Sequence, residues 1–391
     1  MRILFILDYT FPGSNAPSNR IEALCKGFLC NKYFVDVICL RGTWLNEIIL
    51  TTDERINVFY PVGKYRQKFF VKRNLLKLWG AIRSLGIIIK ENKKHKISAA
   101  FIPVNKNILG LFYYILFKIL DIKIIQERSE YPQIYRRTFI ERIGYYFYIH
   151  FIIRLLDGMI VMTNSLRDYY VKLLKTNSKI KTIPMSVDIE RFETGEKIKT
   201  EDYVTYCGDL SNNKDGVDIL IKAFGKISND FPGWKLLLIG GTTNLNLKEL
   251  SELCRRLKIE DKVSFTGRIT KKEIPNYLIK SKILALARPS SLQAQGGFPT
   301  KLGEYLATKN PVVVTDVGEI SLYLTDNVSA YIAPPDSVDD FALKLEECIK
   351  NYDKSIQIGL NGYFVAKNNF DYKVQASLLE EFITSIVKEK K

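Results

Sequence analysis

The chain has 391 residues, 47% of them hydrophobic, and a formal net charge of +16. That length accommodates two domains of ordinary size, and that apolar content excludes a disordered chain. Six scattered cysteines without a Cys-x-x-Cys spacing signal neither a disulfide framework nor a zinc site, so a reduced, cytoplasmic setting without a bound metal is expected.

The charge is unevenly spread. Residues 1–190 carry 30 lysines and arginines against 15 aspartates and glutamates, whereas residues 191–391 carry 28 against 27. Segment 64–96 holds 11 basic side chains and one acidic one, Glu91, interleaved with Phe69, Phe70, Leu75, Leu76, Trp79 and Ile82. Such a segment can lie on an anionic bilayer, each base near the surface contributing about 1 kcal/mol. Peripheral contact with an anionic membrane through residues 64–96 is therefore expected, and nucleic-acid binding is not. No window supplies the roughly 20 predominantly apolar residues of a membrane span. Residues 145–163 come nearest but contain His150, Arg154 and Asp157. The opening Met-Arg-Ile-Leu-Phe-Ile-Leu-Asp reads as a first strand without a signal-peptide cleavage region.

In chain order, short apolar runs at 3–7, 35–40, 99–104, 122–126, 159–162 and 180–183 alternate with longer amphipathic stretches. That pattern predicts a parallel sheet with crossover helices. In such sheets ligands meet the loops at the carboxyl ends of strands. The turn-rich loop 8–19 is one candidate for an acceptor. The next is Gln126-Glu127-Arg128-Ser129-Glu130-Tyr131-Pro132, where Glu127 and Glu130 can position an acceptor hydroxyl or take its proton. An internal ion pair with Arg128 is the structural alternative. The two histidines, His95 in a lysine run and His150 in an aromatic stretch, read as surface or packing residues. Stretches 107–120 and 143–156 are apolar nearly all round and read as core helices, with a greasy surface for a lipid-linked acceptor as the other reading.

Residues 184–188 close the first half and 191–202 read as a linker. Runs at 203–207, 235–239, 263–265, 283–287, 312–315 and 330–333 predict a second parallel sheet. The loop from Gly208 to Gly216 follows its first strand, and its glycines and Lys214 suit a phosphate. Gly267 and Arg268 end another strand, and Arg288 a third. Then comes Gly296-Gly297-Phe298-Pro299-Thr300-Lys301-Leu302-Gly303-Glu304, a glycine turn opening a helix. Pro299 suits the first helical position, which leaves the amides of Thr300, Lys301 and Leu302 to meet an anion. Glu304 shares a face with Thr300 and Lys301, where a carboxylate can hold the vicinal hydroxyls of a ribose. The final stretch, 371–388, reads as an amphipathic helix.

Around Glu304, Ala307, Pro311 and Val312 the chain resembles the retaining glycosyltransferases of family 4, and the Ile-Pro-Met-Ser-Val-Asp segment at 183–188 extends that resemblance. It departs at two places, with Asp209 where the family has arginine and Gly296 where it has a first glutamate. The resemblance implies an α/β chain of GT-B architecture, with two Rossmann-like domains facing across a cleft. The implied domains are an acceptor-binding domain at 1–190, a linker at 191–202, a nucleotide-sugar-binding domain at 203–370 and a helix at 371–391 that crosses back to the first domain. Implied donor contacts are Gly208, Lys214, Gly267, Arg268, Arg288, Gly297, Phe298, Thr300, Lys301 and Glu304, with Glu127, Glu130 and Lys214 as catalytic candidates. Neither metal nor cofactor is implied, since the chain lacks an Asp-x-Asp and the nucleotide-diphosphate sugar is itself a substrate. The implied reaction is retaining transfer of a sugar to a glycan or lipid-linked acceptor for cell-surface polysaccharide, at the inner face of the cell membrane. A nucleotide-sugar epimerase of the same architecture and a non-catalytic membrane- or nucleic-acid-binding module are the alternative readings.

Overall fold

The computed structural model describes residues 1–13, 16–41, 53–63, 70–102, 108–132, 138–174, 179–193, 201–210 and 214–388. The chain divides into two compact units, Met1–Pro184 with Tyr372–Lys391, and Met185–Asp371. The division falls six residues before the boundary expected at 190, because Met185 to Phe192 pack on the second unit. There Met185 lies against Gly303, and the 3-10 turn Ile189–Phe192 lies against the helix that bears it.

In the first unit the strands are β1 (Arg2–Leu7), β2 (Phe34–Cys39), β3 (Ile56–Phe59), β4 (Ala99–Ile102), β5 (Lys123–Arg128), β6 (Gly158–Val161) and β7 (Ile180–Thr182). They form one parallel sheet in the order β3-β2-β1-β4-β5-β6-β7. The helices are α1 (Ala16–Cys30), α2 (Phe70–Lys94), α3 (Ile108–Ile119), α4 (Phe139–His150) and α5 (Asn164–Leu174). Strands buried on both faces need apolar cover on both. On one face Phe5, Val37 and Phe101 pack with Leu24 and Phe28 of α1 and with Leu379 and Ile383 of the C-terminal helix. On the other, Leu4, Ala100, Ile124 and Met159 meet Ile88 of α2, Tyr113 and Phe117 of α3, Tyr148 of α4 and Tyr170 of α5.

The two greasy stretches form helices α3 and α4, each with one face in the core and one at the surface. Their inner faces are core, whereas Phe112, Ile115 and Ile119 of α3 and Phe139, Ile143 and Phe147 of α4 are exposed. The basic segment falls partly outside the described residues, at 64–69. In its described part Trp79 and Ile82 stand exposed on α2. His95 stacks on Phe34 and His150 lies tilted against Tyr146, both at the surface.

The second unit repeats the plan. Strands β8 (Glu201–Cys207), β9 (Lys235–Ile239), β10 (Val263–Gly267), β11 (Ser281–Leu286), β12 (Val312–Thr315) and β13 (Tyr331–Ala333) lie parallel in the order β10-β9-β8-β11-β12-β13. Helices α6 (Val217–Ile227), α7 (Asn244–Arg256), α8 (Ile274–Lys280), α9 (Leu292–Gly296), α10 (Thr300–Ala307), α11 (Val338–Lys350) and α12 (Tyr352–Asn369) surround it. The last helix, α13 (Tyr372–Lys388), belongs to the first unit, where it lies on α1. Strand order reverses between β8 and β11, and ligands of open α/β sheets bind at such a switch point, outside the carboxyl ends of the strands.

Candidate functional site

The switch point of the second unit carries most of the residues singled out for a donor. β8 ends at Cys207, and Gly208 follows with its amide bonded to Ile239 O at 2.8 Å. A Cβ on Gly208 would overlap Lys301 Cε and the Tyr206 hydroxyl, so glycine here lets Lys301 lie directly across the end of the strand. Gly216, φ +67°, turns the chain into α6, and a Cβ there would overlap the carbonyl oxygen of Ala287. Between them Lys214 is exposed, while residues 211–213 lie outside the described residues.

Helix α10 enters the same place. Pro299 is its N-cap, φ −72° and ψ 107°, and not its first helical residue as the sequence suggested. The amide of Leu302 is used by Pro299 O at 3.0 Å, so the first-turn donors left to an anion are those of Thr300 and Lys301. Tyr305, fully buried, accepts from the amide of Cys207 at 2.7 Å and so locks α10 to the end of β8. Burial, and then the charge of Glu304, push the Cys207 thiol up to about 12, which keeps it protonated.

Thr300, Lys301 and Glu304 share a helical face, yet the two charged side chains take different partners. Lys301 Nζ donates to Asp215 Oδ2 at 2.8 Å, and Tyr206 donates to the same oxygen at 2.9 Å. Burial opposes ionisation of Asp215, but Lys301, the Tyr206 hydroxyl and the charge of Arg288 outweigh it and hold the carboxyl below its ordinary value. Glu304 accepts from Arg191 Nη1 at 3.0 Å, and Arg191 Nη2 donates to Lys271 O at 3.1 Å. Arg191, expected in a linker, is thus a fixed part of this unit.

Around this centre stand the remaining candidates. Arg288 is buried just past β11, and its carbonyl accepts from Thr315 at 2.6 Å. Gly267 and Arg268 are exposed at the end of β10, with Arg268 lying over Gly241. The amide of Gly297 is used by Gln293 O at 3.1 Å, closing the short helix α9 that the sequence reading did not foresee. Phe298 is buried against Tyr323 and Phe370, so its ring braces the turn before α10. Among the described residues no group of three histidine, cysteine, aspartate or glutamate side chains is arranged to hold a metal ion.

In the first unit Glu127 is bound by Arg20 of α1, which also donates to the carbonyls of Pro184 and Ile183. The expected internal partner, Arg128, takes no part in this pair. Successive strand residues face opposite sides of a sheet, so Glu127 points toward α1 while Arg128 points toward α4 and α5. Glu130, half-buried, stands two residues past the end of β5. Asp215, Arg191, Tyr305 and Arg20 were all missed in the sequence. Each is recognisable only through a partner at least 86 residues away.

Residues 188–364 match the family model of glycosyl transferases group 1. A mannosylfructose-phosphate synthase of Agrobacterium fabrum is 26% identical over 154 residues, covering 38% of this chain and 33% of the synthase. A GDP-mannose-dependent alpha-(1-6)-phosphatidylinositol monomannoside mannosyltransferase of Mycobacterium tuberculosis is 22% identical over 246 residues, covering 59% of this chain and 63% of that enzyme. The chain thus spans about a third and just under two thirds of these relatives. HepE of Anabaena, solved in complex with UDP, superposes with a TM-score of 0.72 at 17% identity, over 98% of this chain and 100% of HepE. The two parallel sheets and this likeness give the fold as α/β, of the GT-B type.

Proposed function

We propose that the protein is a glycosyltransferase whose second unit binds a nucleotide-sugar donor at the β8–β11 switch point. The observation that carries this reading is that Asp215, between β8 and α6, draws Lys301 of the first turn of α10 and the charge of Arg288 to itself, with Glu304 one turn further along α10. The free first-turn amides and the positive end of the helix favour a diphosphate, and Lys301, oriented by Asp215, adds a fixed cation. Glu304, aimed by Arg191, supplies a carboxylate for the ribose hydroxyls. Lys214 lies on the loop after β8 and serves the same phosphates.

In the proposed reaction the bond from the anomeric carbon to the donor phosphate oxygen breaks, and a bond to the acceptor hydroxyl oxygen forms on the same face, retaining configuration. The nucleoside diphosphate leaves with the bonding electron pair, and the hydroxyl proton passes to a base or to the departing phosphate. The leaving-group charge is met by the chain's own cations and amides, without a metal. The acceptor is a glycan or a lipid-linked glycan of cell-surface polysaccharide, reached at the cytoplasmic face of the membrane. Exposed Trp79, Ile82, Phe112, Ile119, Phe139 and Phe147, beside a net-basic half, support seating on an anionic bilayer.

A thermal-shift screen against uridine, guanosine, adenosine and cytidine diphosphate sugars, with and without magnesium, tests the reading. A ligand at a hundred times its dissociation constant adds about 2.7 kcal/mol to native stability. One nucleotide series should raise Tm without magnesium, and Glu304→Ala should abolish the rise. No shift with any donor, or a shift untouched by Glu304→Ala, removes the assignment.

A further inference from the structure

The first unit contains a buried cation that the reading above does not use. Arg128 closes β5 and is only 5% exposed. Its guanidinium lies 4.5 Å from the ring centre of Tyr148 and 5.7 Å from that of Tyr170. Nε and Nη2, which form one edge of the guanidinium fork, are buried and have no hydrogen-bond partner among the described residues. The hydroxyl of Tyr170 is buried and equally without a partner, whereas that of Tyr148 is taken up by Gln126 Oε1 at 2.6 Å. Burial pushes the Tyr170 phenol well above its ordinary value, so it stays a neutral O–H donor.

Buried polar groups in folded proteins are almost always satisfied, and a buried charge without a counter-charge costs several kcal/mol. The rings of Tyr148 and Tyr170 compensate the guanidinium faces, because an aromatic face attracts a cation. They do nothing for donors in the guanidinium plane. What remains is two parallel N–H donors on one edge and an O–H nearby, all lacking acceptors. That set matches the two oxygens of a carboxylate or a phosphate, which accept bidentate bonds from an arginine fork. Its place also fits a ligand, since β5 ends here and the carboxyl ends of parallel strands are where α/β sheets bind their substrates.

We propose that Arg128, with Tyr170, forms an oxyanion subsite of the first unit that receives a phosphate or carboxylate group. Building on the transferase reading, the acceptor is then an acidic one, entering by its anionic group while its hydroxyl is presented elsewhere. The anion comes either from the phosphate of a lipid-linked carrier or from the carboxylate of an acidic sugar.

Isothermal titration of the full chain with inorganic phosphate and, separately, with glucuronate tests this, with neutral glucose as the control. Wild-type protein should bind one of the two anions and not glucose, and which one it binds names the source. Arg128→Met should weaken that binding tenfold or more, and Tyr170→Phe about tenfold, in line with hydrogen bonds to a charged group. Lys350→Met should leave it intact, because that exposed cation, paired with Glu346 on α11, belongs to neither site. Equal binding in wild type and Arg128→Met, an equal loss in Lys350→Met, or no anion binding at all overturns the proposal.

Thermal unfolding adds an independent readout. Arg128→Met should be at least as stable as wild type, since it removes a charge that lacks a counter-charge among the described residues, whereas a purely structural stacking role requires a lower Tm and unaltered anion affinity. If Arg128→Met does not fold, Tyr170→Phe decides, because it removes only a hydroxyl without a partner. Nucleotide-sugar shifts measured on the same variants separate the two readings. Donor binding without anion binding refutes the subsite alone, and anion binding without donor binding refutes the transferase reading alone.

Discussion

Arg2, at the amino end of β1, and Arg128, at the carboxyl end of β5, belong to the same sheet and are each 5% exposed. Arg2 is fully engaged: Nε donates to Asp36 Oδ2 at 2.6 Å, Nη2 to Asp36 Oδ1 at 2.9 Å and to Glu91 Oε2 at 2.8 Å, and Nη1 to Glu91 O at 3.1 Å. Arg128 meets aromatic rings and no carboxylate among the described residues. A buried cation without a carboxylate among the described residues adds little as a stability device, whereas a closed cluster such as that of Arg2 ties β1, β2 and α2 together. The amino edge of the sheet is thus built to be complete by itself, and the carboxyl edge is built to be completed.

The largest expected effect comes from opening the closed cluster. Asp36→Ala leaves Arg2 buried with half its bonds and also deprives the Asn57 amide of its acceptor at 3.0 Å. Removing one partner of a buried ion pair costs about 3–5 kcal/mol. Urea unfolding should show that loss for Asp36→Ala and none for Arg128→Met. Equal losses at the two arginines would erase the distinction between the two edges.

The next effect is in the second unit, whose Lys301–Asp215 pair lies between these extremes, with side chains 25% and 7% exposed. Asp215→Asn removes a charged acceptor shared by Lys301 and Tyr206, a loss of about 1.5–3 kcal/mol for bonds of this kind. Its pH dependence has a definite sign. The folded carboxyl titrates below its ordinary value of 3.8, so the stabilisation is fully present above that pH and is lost as pH falls through the lower, folded value. The stability gap between wild type and Asp215→Asn should therefore be constant from about pH 5 to about pH 7 and close only in stronger acid. A gap that closes near neutrality would show that another group governs Lys301.

These contrasts also mark how far the sequence could be read. Apolar runs buried on both faces of a parallel sheet are visible in any order of reading, and the six strands of the second unit lie where the runs predicted them, within a residue or two. In the first unit β3 was missed, since Ile-Asn-Val-Phe is a four-residue edge strand whose polar residue breaks the run. The glycines and cations of the candidate site could be placed at strand ends because a loop is local. Their partners could not. Asp215 gives no local hint that it orients Lys301, and Arg191, in a polar stretch, looks like a linker until Glu304 is brought to it. Glu127 and Arg128 are neighbours in sequence, which suggested one ion pair; the alternation of the strand sends them to opposite faces and to unrelated roles.

The smallest effect sets the baseline for the others. Lys96 and Asp121 form a pair at 2.9 Å with side chains 63% and 72% exposed. Water and salt screen such a pair, and holding two long side chains in one geometry costs entropy, so exposed pairs contribute within about 1 kcal/mol. Asp121 has φ +52°, a conformation that asparagine tolerates, so Asp121→Asn removes the charge without straining the turn. Its midpoint in urea should move by no more than this small amount, and raising the salt concentration should shrink the difference further. Buried and exposed pairs of the same length would then differ several-fold in worth, and the difference lies in solvent rather than distance. A loss at Asp121 as large as that at Asp36 would mean that burial does not rank these charges, and buried Arg128 would then be no different from a surface cation.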